Sequence, residues 1–335
     1  MRWRVFPPSC EAPAMNGSIA DVAGIRVGHA SDPVGRTGVT VALLPPATIG
    51  SALLLGSAAS TRGFESLHGR GNAKPIHGIC FAGGSSFGLA ATGGVQRYLR
   101  ERGQGQRSGD LVIPLVPSAI IFDLHIGEPN RFPTEDMGYA ASEAAATTFR
   151  QGNVGAATGA LVGKLHGHEC AVIGGVGTAS TTIRGVTVGA LAVVNAFGDV
   201  RDPRTGKIVA GARSSPTGRD YVDAVRLLRE GVEPPFPSAN TTLVLVATDA
   251  ELTPASCDVV GRQGAAGFAR TICPVFGEFD GDVLITASCG KTGKLLHRTV
   301  LGEMAADVVA EAIVQGVLQA EGVAPHPAAR DILAL

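Results

Sequence analysis

The stretch PSANTTLVLVATDAELTP, Pro237–Pro254, sets a small, proline-rich loop against a run of β-branched and aliphatic residues. That run predicts a buried strand over Leu243–Ala247, and Thr253-Pro254 supplies an N-cap and an N1 proline for a helix after it. A strand feeding a helix is the recurring unit of an α/β fold. The same stretch puts the hydroxyl of Thr241 where a loop meets a sheet. A hydroxyl so placed can attack the peptide bond that precedes it.

Working outward, Val39–Leu44, Ala52–Leu55, Gly78–Ala82 and Leu111–Val116 read as strands. GGSSFGLAATGGVQRYLRERG reads as a glycine turn and an amphipathic helix from Ser86 to Arg102. GALVGKL reads as a helix, TTIRGVTVGALAVVNAFGD as a hairpin-like strand pair, and DPRTGKIVAG as a polar turn and return. Residues 214–239 are the least core-like internal segment. After Asn240 come a strand at Val283–Ala287 and a long helix over Arg298–Gln319. On that helix Leu301, Met304, Ala305, Val308, Ala312 and Ile313 form one apolar stripe. The reading is a single mixed α/β domain over residues 18–335. Residues 1–17 are expected to lie outside it, as a tail or as the product of an early start codon with Met15 the true start.

Composition narrows the function classes. The chain has 335 residues, 45% hydrophobic and 17% charged, with a formal net charge of −1. Without a basic block or an acidic tail, no nucleic-acid partner is expected. No apolar run reaches the ~18 residues of a membrane-spanning helix, and the N-terminus lacks the apolar core of a signal peptide. The six cysteines have no C-x-x-C spacing, which points to free thiols in a reducing compartment. A cytoplasmic protein that uses no cofactor or metal is expected.

Several short motifs invite chemistry. Gly84-x-Ser86-x-Gly88 follows a strand and precedes a helix, the context of a nucleophile elbow, and His297 is a candidate partner for Ser86. A tight strand-to-helix turn explains the same residues. Lys164 and Lys291 follow glycines, but neither run keeps the spacing of a phosphate loop. His166-Gly167-His168 has no further ligand at metal-binding spacing. EFDGD, Glu278–Asp282, reads as a turn at Asp280-Gly281, with Asp280 and Asp282 on one side of an extended chain. Asn195, in the apolar run VNAFGD, carries an amide that can donate to an oxyanion. Lys164 sits between apolar residues, where an unpaired ammonium is costly. Pairing with Asp280 or Asp282 would remove that cost.

Taken together, IADVAGIRVGHASD, GGSSFGLAATGGVQRYL, VGALAVVNAFGDVRDPRTGKIVAGAR, NTTLVLVATDAELT and FDGDVLITAS resemble one family from Ile19 to Gln319. It is the self-processing L-aminopeptidase/D-amidase (D-esterase) family, which includes β-peptidyl aminopeptidases and 6-aminohexanoate-oligomer hydrolase. The resemblance implies a layered α/β sandwich of two central sheets flanked by helices, and a homo-oligomer, often a tetramer. It implies a chain that cuts itself between Asn240 and Thr241 into pieces of 240 and 95 residues. Thr241 would then be the N-terminal nucleophile and Asn195 the oxyanion donor for both cleavage and turnover. Lys164, Asp280 and Asp282 match residues near the nucleophile. Phe122 in VPSAIIFDL is the candidate for a position held by tyrosine in the nylon-hydrolase branch.

An N-terminal threonine supplies nucleophile and base on one residue, because its α-amine has an unperturbed pKa of about 7.7–8. The expected function is amide hydrolysis through an acyl-Thr241 intermediate, on a peptide, D-amide or oligoamide. The alternatives are an α/β-hydrolase using Ser86, an acyltransferase of the ornithine acetyltransferase type, and a binding protein without catalysis.

Overall fold

The computed structural model describes residues 17–67, 74–234, 240–290, 293–294 and 296–333. Residues 1–16 of the expected tail over 1–17, and the pair Lys291-Thr292, lie outside them. Ten strands, numbered here in chain order, build two five-stranded sheets. They are β1 (Arg26–Asp32), β2 (Thr37–Leu43), β3 (Ile49–Leu54), β4 (Thr61–Arg62), β5 (Gly78–Ala82), β6 (Ser118–Ile120), β7 (Gly175–Ile183), β8 (Val186–Asn195), β9 (Thr241–Thr248) and β10 (Val283–Ser288). The first sheet runs β1-β2-β5-β6-β4 and the second β7-β8-β9-β10-β3. Each contains one parallel pair, β5 with β6 and β9 with β10. The α-helices are α1 (Ala91–Glu101), α2 (Glu135–Glu143), α3 (Ala224–Arg229), α4 (Pro254–Gly264), α5 (Ala266–Thr271), α6 (Arg298–Leu318) and α7 (Ala329–Leu333).

Strand alternation sorts the core into layers. Leu191, Val193, Leu243, Leu245, Val283 and Ile285 face the first sheet, where they meet Phe81, Ile79 and Ala119. The intervening Ala190, Ala192, Val194, Val244, Val246 and Leu284 face the other way, onto Met304, Val308 and Ile313 of α6 and Val260 of α4. The outer face of the first sheet packs Val39, Val41 and Cys80 on Val95 and Leu99 of α1 and Ala141 of α2. The result is helix, sheet, sheet, helix, the expected sandwich of two central sheets between helices.

Local physics explains the details. Thr253 caps α4 by accepting the Ser256 N–H, with Pro254 at the first turn. All six residues of the expected stripe on α6 are buried, along with most of its other positions, because α4, α5 and the second sheet cover it on more than one side. Against the sheet, α6 comes close enough that a β-carbon on Gly177 would lie 2.0 Å from the Ala312 oxygen and 2.2 Å from the Gly316 nitrogen.

Four expectations need correction. GALVGKL is not helical: Leu161–Val162 is a short strand paired with Val172–Ile173. Leu111–Val116 is broken around Pro114 and Pro117, which cannot donate to a ladder, and strand resumes at Ser118. The glycine turn at Gly84 leads first into a 3₁₀ segment, Ser85–Ala90, so α1 starts at Ala91. Asp280-Gly281 is not the tip of a hairpin: the preceding strand Ile272–Cys273 pairs with Asp199–Val200, while β10 lies between β9 and β3. Residues 214–239 also contain α3, capped by Asp223, which their composition did not suggest.

Gly177→Ala drives a methyl into the backbone of α6, and overpacking of this kind costs about 3 kcal/mol. A denaturant titration is expected to show a clearly lower midpoint with an unchanged slope; an unchanged midpoint contradicts the packing described.

Candidate active site

The strand register collects the candidate residues. Antiparallel pairing of β8 with β9 places Asn195 directly opposite Thr241. Opposed residues share a face with β-carbons about 4.5–5.5 Å apart, here the face toward the first sheet. The parallel pairing of β9 with β10 starts one step earlier, where Asn240 and Asp280 form a bridge. Thr241 is 3% exposed and Asn240 2%. The hydroxyl of Thr241 lies against the carbonyl oxygen of Asn240, the residue whose peptide bond precedes it.

Lys164 arrives from the other side. Gly163 turns the chain with φ +75°, and a β-carbon there would lie 2.1 Å from the Gly211 and Ala212 main chain. The Lys164 N–H then donates to the Phe197 carbonyl at 2.9 Å. Its ammonium does not pair with Asp280 or Asp282 but donates to the Asn195 side-chain oxygen at 2.9 Å and main-chain oxygen at 3.1 Å. The same Asn195 Oδ1 accepts the Leu161 N–H at 3.0 Å, so the amide nitrogen is forced to the opposite side, where it donates to the Phe122 carbonyl at 3.2 Å. Lys164 therefore fixes which way the Asn195 amide points.

The two aspartates bind backbone. Asp282 accepts the Thr242 N–H at 2.6 Å and the Phe276 N–H at 3.3 Å. Asp280 accepts the Gly277 N–H at 2.6 Å and a side-chain hydrogen bond from Asn240. Neither carboxylate is hydrogen-bonded to the Thr241 hydroxyl, whose bond goes to Asn240. Their influence on it is through field and backbone position.

Sequence reading missed Asp123. It is 3% exposed, accepts the Gly84 N–H at 2.6 Å, and feels the Lys164 charge. Its carboxylate ties the GGSSFG turn to the site; an aspartate ending the apolar run VPSAIIF was the available signal. With Phe122, Leu161, Lys164, His168 and Asn195 it lines a crevice too narrow to hold a water molecule. Two larger surface clefts, of about 500 and 520 Å³, contain none of the expected site residues. Ser86 is exposed and forms no hydrogen bond with His297, whose ring instead caps α6 by accepting the Thr299 N–H at 3.3 Å. His166 pairs with the Arg213 carbonyl at 3.2 Å.

Burial dominates the electrostatics. It raises Asp282 to about 7, helped by the nearby Asp280 charge and opposed by the Thr242 and Phe276 N–H groups and Lys164. Burial also raises Asp280. It lowers Lys164 to about 7 despite the attraction of Asp280, Asp123 and Asp282. Between the ordinary Asp value of 3.8 and about 7, the folded chain holds the Asp282 proton that the unfolded chain has released. Stability from this group is therefore lost as pH rises through that window. For Lys164 the unfolded chain holds the extra proton between about 7 and 10.5, so its contribution rises with pH there. Urea midpoints measured at pH 5 and pH 7 are expected to fall less in Asp282→Asn than in wild type; equal falls contradict a buried, hard-to-ionise Asp282.

Comparison with known proteins identifies the family of the chain. The model of peptidase family S58 matches residues 17–328. A Mycobacterium bovis protein described as an uncharacterised aminopeptidase is 38% identical over 342 residues, covering 94% of this chain and 97% of its own. A 6-aminohexanoate-oligomer endohydrolase of Kocuria sp. is 30% identical over 310 residues, covering 88% and 84%. Among solved structures, the L-aminopeptidase D-Ala-esterase/amidase of Ochrobactrum anthropi, described as a variant of the Ntn hydrolase fold, superposes with a TM-score of 0.70. It covers 98% of this chain and 96% of its own at 20% identity, which shows the shared fold. The chain belongs to peptidase family S58 and is a hydrolase of amide bonds.

Proposed function

We propose that the protein cuts its own chain between Asn240 and Thr241 and then works as an N-terminal-threonine aminopeptidase or amidase. The observation that carries this reading is the placement of the Thr241 hydroxyl on the Asn240 carbonyl, inside a buried site that also gathers Asn195, Lys164, Asp280 and Asp282. In the uncut chain the Thr241 nitrogen is an amide and cannot act as a base. Attack of Oγ on the Asn240 carbonyl carbon shifts the acyl group from nitrogen to oxygen, and water hydrolyses the resulting ester. The new α-amine, next to its own hydroxyl, can then take the proton during attack on a substrate carbonyl.

The Asn195 amide, held by Lys164, is the donor available on the crevice side. Substrate acylates Thr241, releases its amine half, and is freed by water. The names carried by relatives favour peptides and oligoamides as substrates. The exposed Ser86, without a histidine partner, is the turn of a strand-to-helix connection.

On a denaturing gel the purified protein is expected to run as two pieces, of 240 and 95 residues, the smaller beginning TTLVLV. Thr241→Ala should remain one chain and lose at least ~10³-fold in turnover of an aminoacyl p-nitroanilide or an aminohexanoate oligomer. Ser86→Ala should still cut itself and keep its activity. A single, stable, active wild-type chain contradicts the proposal.

A further inference from the structure

Cleavage and turnover were expected to share the Asn195 amide, but the hydrogen bonds around Asn240 divide the two tasks. The Asn240 carbonyl oxygen, where negative charge develops when Thr241 attacks, accepts the main-chain N–H of Gly281 at 2.8 Å. The Asn195 amide nitrogen is turned to the Phe122 carbonyl, and its oxygen is taken by Leu161 and Lys164. Asn195 stands opposite Thr241 across the β8–β9 pair, whereas the Gly281 N–H is on the Asn240 carbonyl.

The Gly281 N–H is firmly held. The Asp280 carbonyl before it accepts the Ala58 N–H at 2.9 Å, and the Asp282 carbonyl after it accepts Leu55 and Gly56 at 2.8 and 3.1 Å. On the two flanking side chains, Gly277 and Thr242 each donate at 2.6 Å. A β-carbon at Gly281 would lie 2.7 Å from the Thr241 hydroxyl oxygen, so only glycine lets this peptide come so near the nucleophile. A fixed dipole already aimed at the oxygen needs no reorganisation as charge appears there.

Resting on the self-cleaving reading above, we propose that the main-chain N–H of Gly281 is the oxyanion donor for cleavage of the Asn240–Thr241 bond, whereas the Asn195 amide serves substrate turnover. In the cleavage step the bond from Thr241 Oγ to the Asn240 carbonyl carbon forms and the carbon–nitrogen bond breaks. The hydroxyl proton ends on the departing Thr241 nitrogen. Water then splits the ester, leaving a carboxylate on Asn240 and a free hydroxyl and amine on Thr241. The carbonyl that Gly281 served leaves with the large chain, and the next carbonyl to be attacked is the substrate's.

Asn195→Asp tests the division, because it keeps the oxygen that Leu161 and Lys164 use and removes the amide donor. Self-cleavage after cell-free synthesis, followed by intact mass, should stay within about threefold of wild type, while turnover per cut chain falls ~10²–10³-fold. Cleavage that slows as much as turnover overturns the proposal. Gly281→Pro, which removes the N–H, should slow cleavage ~10²–10³-fold with a wild-type far-ultraviolet circular dichroism spectrum. Wild-type cleavage in that variant overturns it too, and if the variant does not fold, Asn195→Asp decides alone. Cleavage persisting in Thr241→Ala would defeat the self-cleaving reading itself. Wild-type cleavage that is lost in Asn195→Asp would defeat only the assignment to Gly281.

Discussion

The parallel alignment of β9 with β10 is the constraint on which the site depends. One ladder sets Leu243 beside Val283, and its continuation sets Asn240 beside Asp280. A one-residue slip would turn every side chain of β9 to the opposite face, exchanging Thr241 for Thr242 and burying the wrong aliphatic residues in both cores. The apolar alternation that stabilises two layers of core therefore also fixes the position of Thr241, the proposed nucleophile. Antiparallel pairing on the other edge brings Asn195 opposite Thr241 by the same means. Core packing and chemistry are set by one register.

At the end of that ladder the fold carries an expensive cluster. Asp280, Asp282, Asp123 and Lys164 are all buried, and burial pushes each toward its neutral form. Backbone N–H groups and the Asn195 oxygens meet much of their hydrogen-bonding demand without neutralising the charges. Buried groups pushed toward their neutral forms in this way are typical of catalytic clefts, where stability is given up for chemistry. The strap Leu55–Ala58, donating to the carbonyls of Asp280 and Asp282, holds the cluster in place from outside the sheet.

Much of this was legible in the sequence. β-Branched alternation announced β8, β9 and β10, and Thr253-Pro254 announced α4. The apolar periodicity of α6 was plain because helix signals are local. The site residues were suggested by buried polar groups in apolar runs, Asn195 and Lys164 above all. What escaped was non-local. GALVGKL has good helix formers, but pairing with Val172–Ile173 and the left-handed Gly163 override them. Asp280-Gly281 carries the chemistry of a hairpin turn, yet the strand after it pairs in parallel with one begun some forty residues earlier, which no short-range signal encodes. Asp123 escaped for the same reason, since its partner Gly84 is 39 positions away.

The reacting hydroxyl is proposed to belong to Thr241 as a chain terminus. The most direct measurement is to quench the enzyme in acid while it turns over an activated ester, digest it with trypsin, and locate the trapped acyl group by mass. The acyl mass is expected on a peptide that begins at Thr241 and ends at Arg262. An acyl group on the peptide containing Ser86, or on Thr241 within an uncut chain, would contradict it.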